Sequence, residues 1–395
     1  MGEQKSGEPE LKSIAVDTLE AGVAFSEAVY IDDDNIFVPA GIPIQQRDLD
    51  KIASLGVDVV LTAGEPLLQV GSPEGEVPKM KPAAFSTNQQ NRGAYRVYTT
   101  LIERIHGLFT RISEGNPIDN RAINTISTQL LQALKNQREQ YIGFVLGGNV
   151  KGSEMAKSAV NIAILSALTA QEIRLPSHKI LYIIIGALLH DTGMFQLPKK
   201  ILEKRGALTE EERKQMRNHP LLSREIVVRD LSYPDEIGDI VLQHHERWDG
   251  NGYPHRLPGN NISIGARIVS IADSFEAMVS PKPYRSSILG YQANKNLLAD
   301  NSHRFDPDIL KVFILTMGVY PIGSLVCLNN GIMARITEVR PSTPLRPKIQ
   351  VLLDEFQQVP SSEEGYFIDL LTEKRLYITK AVDPSELSGV HAFEG

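Results

Sequence analysis

The chain has little cysteine, no excess of basic residues and no long apolar run, and each absence excludes a class of protein. Its 395 residues contain one cysteine, Cys327, which excludes an intramolecular disulfide framework and a zinc site built from thiolates. The formal net charge of -7 argues against a protein that coats nucleic-acid polymers, although a few local cations could still bind a small phosphate ligand. We therefore expect no nucleic-acid polymer among its partners.

The longest apolar run is too short to span a bilayer. It extends from Ile180 to Leu189, which is ten residues, and it ends in a His-Asp pair. The N-terminal stretch from Met1 to Lys12 is polar and lacks the apolar core of a signal peptide. We therefore expect a cytoplasmic protein without membrane insertion.

The rest of the composition is ordinary for a folded protein of two or three domains. Hydrophobic residues make up 42% and charged residues 23% of the chain. Changes in apolar spacing predict a mostly α protein, a helical bundle with a small α+β N-terminal module and a small β-rich C-terminal appendage. The predicted segments are a disordered leader at 1–12, the α+β module at 13–70, a linker at 71–94, a helical connector at 95–150, the main helical domain at 151–319 and the appendage at 320–395.

Several stretches predict individual elements. Apolar residues at helical spacing between Tyr95 and Phe144 predict connector helices, which we expect either to relay a signal from the N-terminal module or to form a homodimer. The run from Ile180 to Leu189 is apolar nearly all round, which is typical of a buried helix. Thr209 followed by three glutamates predicts a capped helix start. In the appendage, strands are predicted at 325–328, 334–339, 348–353 and 366–371.

Four of the nine histidines fall in one segment of the predicted helical domain. His244 and His245 are followed by the only tryptophan and by Asp-Gly, Asn-Gly and Tyr-Pro pairs, which predict a helix that runs into a tight turn. On its own this stretch could be a surface turn, because such pairs are ordinary turn chemistry. A functional cluster is favoured by the other polar residues of the segment, which are His190, Asp191, His219 and Asp273.

Asp191 follows the helix that is predicted to be buried. A lone buried carboxylate is costly, so it needs a hydrogen-bonded cation or a metal; alternatively, Asp191 only orients its neighbouring histidine or caps the helix. Imidazole and carboxylate ligands together suit iron, manganese, nickel or zinc rather than calcium. Their number exceeds one tetrahedral site, which predicts two metals bridged by a carboxylate. Two metals about 3.5–4 Å apart can activate water and stabilise the charge that develops on a phosphate.

These motifs together resemble the HD-GYP domain, a subgroup of the HD metal-dependent phosphohydrolases. The resemblance covers roughly residues 153–317 and rests on His190-Asp191, His219-Pro220, Ala272-Asp273 and the stretch from His244 to Pro254. It implies hydrolysis of cyclic di-GMP, or of a related cyclic dinucleotide, to linear pGpG or GMP. It also implies a helical fold with a centre of two or three divalent metal ions, commonly iron or manganese.

The resemblance also implies roles for individual residues. Asp191 would be the catalytic residue that bridges the metals. The implied metal ligands are His190 and Asp273 on one ion, His219, His244 and His245 on the other, and Glu154 where a further ion is held. The implied substrate contacts are Tyr253 of the GYP turn and two cations that suit phosphate, Lys282 and Arg285.

Two positions depart from the pattern of the family. Ser158 stands where a histidine is usual, four residues after Glu154, and Met194 stands where a lysine is usual shortly after the His-Asp pair. The first change weakens one metal site, and the second removes a positive charge from the substrate pocket. Two alternatives to a working phosphodiesterase therefore stay open. One is a degenerate domain that binds a cyclic dinucleotide or a protein partner without turnover, and the other is a domain whose metals only stabilise the fold.

Overall fold

The computed structural model describes residues 11–31, 36–38, 44, 46, 48–49, 52, 57–67, 89–147, 153–202, 204, 206–280, 290–299, 303–340, 342–356 and 366–382. Most of the predicted leader and most of the predicted linker at 71–94 lie outside these residues. The chain forms two compact units, one made of 1–75, 197–216 and 280–287 and the other of 76–196, 217–279 and 288–395. The second unit contains every histidine of the predicted cluster.

The described α-helices confirm a mostly helical protein. They are α1 (Gln89–Ser113), α2 (Asn120–Gly147), α3 (Glu154–Glu172), α4 (Ser177–Leu189), α5 (Lys199–Leu202), α6 (Glu210–Met216), α7 (His219–Glu225), α8 (Asp235–Gln243), α9 (Ile264–Val279), α10 (Gly290–Ala299) and α11 (Pro307–Met317). Helix α1 begins at Gln89, inside the stretch whose composition favours a linker. None of the described helices combines the length and the apolar composition needed to cross a bilayer.

Helix α3 forms the centre of the helical unit and is buried nearly all round. Helix α4, the predicted buried helix, packs against it, and both contact α9. Two glycines allow α4, α8 and α9 to approach closely. A Cβ atom added at Gly186 of α4 or at Gly265 of α9 would lie 2.6 Å from the side chain of Ile240 on α8. The ends of α4 and α8, which carry the His-Asp and His-His pairs, are therefore held in one core.

A five-stranded antiparallel sheet follows the helices within the same unit and confirms the β-rich appendage. Its strands are β7 (Leu325–Leu328), β8 (Met333–Glu338), β9 (Lys348–Leu353), β10 (Phe367–Asp369) and β11 (Ile378–Val382), in the spatial order β10-β9-β8-β7-β11. The sequence predicts four of them. Strand β11 pairs with β7 and was missed because it is an edge strand in which only Val382 is buried, so its apolar alternation is weak.

The other unit contains the N-terminal strands, which confirm the α+β module. They are β1 (Lys12–Ala15), β2 (Ala24–Phe25), β3 (Val29–Tyr30), β4 (Ile36–Val38), β5 (Val59–Thr62) and β6 (Pro66–Leu67), paired in the orders β1-β5-β3-β4 and β2-β6. In the same unit, the amide of Thr209 donates to the Glu212 carboxylate at 2.8 Å, and the Glu212 amide donates to the Thr209 hydroxyl at 3.3 Å. This reciprocal pair confirms the predicted cap at the start of α6.

Candidate metal centre

His190 and Asp191 lie directly after the last residue of α4. The Nδ1 atom of His190 is 2.7 Å from the carbonyl oxygen of Ala187, so Nδ1 carries a proton, and in the neutral ring the lone pair is on the other nitrogen. That second nitrogen, Nε2, lies 3.3 Å from Oδ2 of Asp191. The imidazole is almost completely buried, whereas the carboxylate of Asp191 is half-buried.

The turn after Asp191 places His219 beside the carboxylate. The amide of Gly193 donates to the hydroxyl of Ser223 on α7 at 2.7 Å. A Cβ atom at Gly193 would lie 2.2 Å from the carbonyl oxygen of His219, so only glycine allows this approach. As a result Nε2 of His219, at the first position of α7, lies 3.3 Å from Oδ1 of Asp191.

His244 and His245 complete the cluster from the end of α8. The helix ends at Gln243, so the two histidines lie in the turn that follows, and their ring centroids are 4.1 Å apart. Nε2 of His244 is 3.3 Å from Nε2 of His219 and 3.7 Å from Oδ1 of Asp191. The potential ligand atoms of Asp191, His219, His244 and His245 all lie within 4.8 Å of one another.

Electrostatics prepare this cluster to bind a cation at neutral pH. Burial would raise the pKa of Asp191, but the charge of His190 and hydrogen bonds from the surrounding histidines hold it well below its usual value. Burial is the main cause that lowers the pKa of His244 to about 4, and burial with the charges of His244 and His219 lowers the pKa of His245. Asp191 is therefore ionised while His244 and His245 are neutral, which is the state that a metal requires.

His190 titrates in the opposite direction. Burial would lower its pKa, but the charges of Asp191 and Asp273 outweigh burial and raise the pKa to about 9. Without a metal, His190 thus holds a proton at neutral pH, and a cation that binds there must displace it. Asp273 is half-buried on α9, and its charge is one of the causes that raise the pKa of His190.

The turn from Glu246 to Leu257 holds Tyr253 against the cluster. The buried Glu246 carboxylate accepts hydrogen bonds from the amides of His255 at 2.7 Å and Leu257 at 3.0 Å. The amide of Tyr253 donates to the carbonyl of His245 at 3.2 Å. The Tyr253 ring stacks on the His245 ring with centroids 4.7 Å apart and an interplanar angle of 25°. This stack fixes the orientation of a potential ligand ring.

The other residues singled out in the sequence lie at varied distances from the cluster. Glu154 is exposed at the first position of α3, and Lys282 and Arg285 lie outside the described residues. Ser158 donates a 2.6 Å hydrogen bond to Oε2 of Glu276, a buried residue of α9. Met194 is half-buried in the turn after Asp191.

Two residues near the site carry little signal in the sequence. Glu276 follows Asp273 by one helical turn and accepts hydrogen bonds from Ser158 and, at 3.2 Å, from Asn161. Its only sequence signal is a second carboxylate in a helix that is mainly apolar. Arg217 precedes His219 by two residues, and its guanidinium carbon lies 5.4 Å from the Tyr253 ring centroid. Nothing in its local sequence distinguishes it from the many charges on a solvated helix.

The donor set fits divalent transition metals. Two buried imidazoles, His190 and His244, face backbone carbonyls through Nδ1, so both direct an unprotonated Nε2 toward the Asp191 carboxylate when neutral. Two nitrogen atoms as close as those of His219 and His244 repel unless a proton or a cation lies between them. Nitrogen and carboxylate oxygen together suit iron, manganese or zinc.

Known families match two parts of the chain. Residues 129–309 match the family described as HD domain, and residues 325–389 match the family described as KOW domain associated with HD domain. The first match contains all residues of the cluster. The second contains the five strands of the C-terminal sheet.

Three of the curated relatives are named for the same activity. A Pseudomonas aeruginosa protein named cyclic di-GMP phosphodiesterase is 26% identical over 79% of this chain and 75% of its own length. The cyclic di-GMP phosphodiesterase PdeB of Borreliella burgdorferi is 32% identical over 52% of this chain and 54% of its own length. The response regulator RpfG of Xanthomonas campestris, also named a cyclic di-GMP phosphodiesterase, is 36% identical over 36% of this chain and 38% of its own length. The chain thus spans about half or less of the latter two relatives.

Proposed function

The chain belongs to the HD-GYP family, and we propose that it is a metal-dependent phosphodiesterase that hydrolyses cyclic di-GMP to linear pGpG or GMP. The observation that carries the proposal is the convergence of Asp191, His219, His244 and His245 within 4.8 Å. The names of the relatives support the choice of substrate. No observation favours the alternative of a degenerate binder.

The ligands proposed for the metals are those that the resemblance implies. Asp191 would bridge two ions, His190 and Asp273 would bind one of them, and the other would be bound by His219, His244 and His245. Bound divalent ions, which we propose to be iron or manganese, would supply an activated water and stabilise the negative charge of the phosphate in the transition state. We propose two ions rather than three, because the Ser158 hydroxyl is engaged by Glu276 and Glu154 is exposed.

The side chains around the cluster prepare it for a phosphodiester. The ionised Asp191 and the carbonyl-bonded rings of His190 and His244 keep their positions before a substrate arrives, so little reorganisation is needed during the reaction. Tyr253 covers one face of His245 and excludes water from it. We propose that Tyr253 also contacts the nucleotide. These residues therefore contribute position and charge, while the metals contribute the activated water.

The proposal is tested with the full chain, depleted of metal and then reloaded with iron or manganese under anaerobic conditions. Cyclic di-GMP is added and its products are separated by chromatography. We expect pGpG or GMP only from the loaded protein. Asp191→Asn, which preserves size, should abolish the product. Asp230→Asn, at an exposed position at the end of the π-helix (Ile226–Asp230) that continues α7, should not. Loaded wild-type protein that binds cyclic di-GMP without forming product would refute the proposal and favour the degenerate binder.

A further inference from the structure

We propose that Arg217 binds the second phosphate of the cyclic dinucleotide, the one that is not being hydrolysed. The inference rests on the proposed function. A cyclic dinucleotide contains two phosphodiesters, each with one negative charge, on opposite sides of its ring. When one phosphate lies at the metal centre, the other lies away from it and needs a cation at a distance. A cation a short way from the metal ligands would therefore distinguish a cyclic dinucleotide from a simple phosphodiester.

Arg217 is placed at such a distance. Its guanidinium carbon lies 5.4 Å from the Tyr253 ring centroid, and that ring stacks on His245 with a centroid spacing of 4.7 Å. The distance from the guanidinium carbon to the His245 ring centroid is therefore at most the sum of the Arg217–Tyr253 and Tyr253–His245 distances. It stands outside the group of potential ligands but on the same side of the cluster as Tyr253. The side chain of Arg217 is exposed, so a ligand can reach it.

The chemistry of the guanidinium suits this role. Its N–H groups form a planar fork that binds two phosphate oxygens at once. A guanidinium interacts with an aromatic ring through its face and with an anion through its edge, so contact with Tyr253 does not prevent phosphate binding. The ring restricts the mobility of the long side chain before a ligand binds, which lowers the entropic cost of binding.

Charge among the described residues around the cluster is consistent with this role. Met194, in the turn after Asp191, is half-buried and apolar, so it brings no positive charge to the site. Arg217 lies two residues before His219, in the turn that leads into α7, so its backbone is close to a residue of the cluster. Arg217 supplies a positive charge on the side of the cluster that carries Tyr253.

The test compares two substrates and four proteins. Cyclic di-GMP has two phosphates, whereas bis(4-nitrophenyl) phosphate has one and cannot reach a distant cation. Arg217→Gln and Arg217→Lys are compared with wild type. The control is Arg229→Gln, the same change at an exposed arginine that pairs with Glu225 in the turn continuing α7. The dissociation constant for cyclic di-GMP is measured on the metal-depleted chain by calorimetry, and turnover of both substrates is measured on the loaded chain.

We expect Arg217→Gln to weaken cyclic di-GMP binding by about 10- to 100-fold, as for the loss of a charge-assisted hydrogen bond. Turnover of bis(4-nitrophenyl) phosphate should stay within about twofold, since it depends on the metal centre alone. Arg217→Lys should restore part of the affinity, and Arg229→Gln should match wild type. Weaker binding should also appear as a higher KM for cyclic di-GMP.

Two outcomes would overturn the inference. Unchanged cyclic di-GMP affinity in Arg217→Gln would show that Arg217 does not bind the ligand. An equal loss of turnover on both substrates would show that Arg217 only positions Tyr253 and His245. Failure of the proposed function can be distinguished from failure of this inference. If the proposed function is wrong, wild-type protein binds cyclic di-GMP without hydrolysing it, and the binding measurement still tests Arg217. A wild-type protein that does not bind cyclic di-GMP at all would overturn both.

Discussion

Two serines on helix α3 offer a matched test of the hydrogen bond to the buried Glu276 carboxylate. Ser158 donates a 2.6 Å hydrogen bond to the carboxylate of Glu276, a residue that is 1% exposed. Ser166, two turns further along the same helix, is fully buried, and its hydroxyl has no partner among the described residues. The same substitution to alanine therefore removes a hydrogen bond to a charged group at one site and only an unpaired hydroxyl at the other.

The expected magnitudes follow from this difference. A hydrogen bond to a charged group contributes about 1.5–3 kcal/mol, so Ser158→Ala should lower the free energy of unfolding by about that amount. Ser166→Ala should leave the free energy of unfolding unchanged or raise it, because a buried hydroxyl without a partner is itself unfavourable. Asn161 remains bonded to Glu276 in both variants, which keeps the loss at Ser158 from exceeding this range.

The assay is urea unfolding of the metal-depleted chain, followed by tryptophan fluorescence. Trp248 is the only tryptophan, and it lies in the turn after His245, so its signal reports on the helical unit that contains both serines. Metal depletion removes the contribution of the ions from the measurement. Equal changes in the two variants, or a larger loss in Ser166→Ala, would refute the assignment of Ser158 as the hydrogen-bond donor to a buried charge.

Three further predictions concern the network, the turn and the metals. Tyr98→Phe loses a 2.7 Å hydrogen bond to Asn161 and should lower the free energy of unfolding by about 1 kcal/mol. Tyr141→Phe should have little effect, because the Tyr141 hydroxyl has no partner in the described structure. Equal losses in the two variants would contradict this prediction. Gly252→Ala would place a Cβ atom 2.3 Å from the Arg247 amide nitrogen. Urea unfolding should therefore show a loss of about 1–3 kcal/mol in the free energy of unfolding, and metal titration should show weaker binding. Gly107→Ala should be tolerated, because a Cβ atom there meets open space. Metal binding at pH 7 should release a proton from His190, because the pKa of His190 is raised to about 9 without metal. Metal affinity should therefore increase with pH up to about that value. Binding enthalpies that are the same in buffers of different ionisation enthalpy would argue against this proton release.

Several expectations remain predictions. The described helices α1 and α2 occupy most of the connector segment. Their role in relaying a signal or in forming a homodimer remains a prediction. The domain boundaries predicted from composition, the cytoplasmic location and the roles of Lys282 and Arg285 also remain predictions. Each can be tested in the full chain by size measurement, by cell fractionation or by substitution.

The helical domain was predictable because its signals are local. An apolar run that ends in His-Asp predicts a buried helix with a polar end, and α4 ends at Leu189 directly before that pair. Two adjacent histidines followed by turn residues predict a helix end, and α8 ends at Gln243. Strand β11 and the start of α1 were less predictable, because an edge strand and a one-sided helix bury few residues and so show weak periodicity.

The order of residues was sufficient to predict candidate ligand types, the elements that carry them and the family, because these depend on spacing along the chain. Tertiary structure decided which groups meet. Gly186, Gly193 and Gly265 each lie where a Cβ atom would clash, and the close approaches that they allow bring three separate chain segments to one carboxylate. The contacts of Arg217 with Tyr253 and of Ser158 with Glu276 depend on how helices and turns from distant parts of the chain pack. Contacts of this kind have no fixed separation in sequence, so no local pattern predicts them.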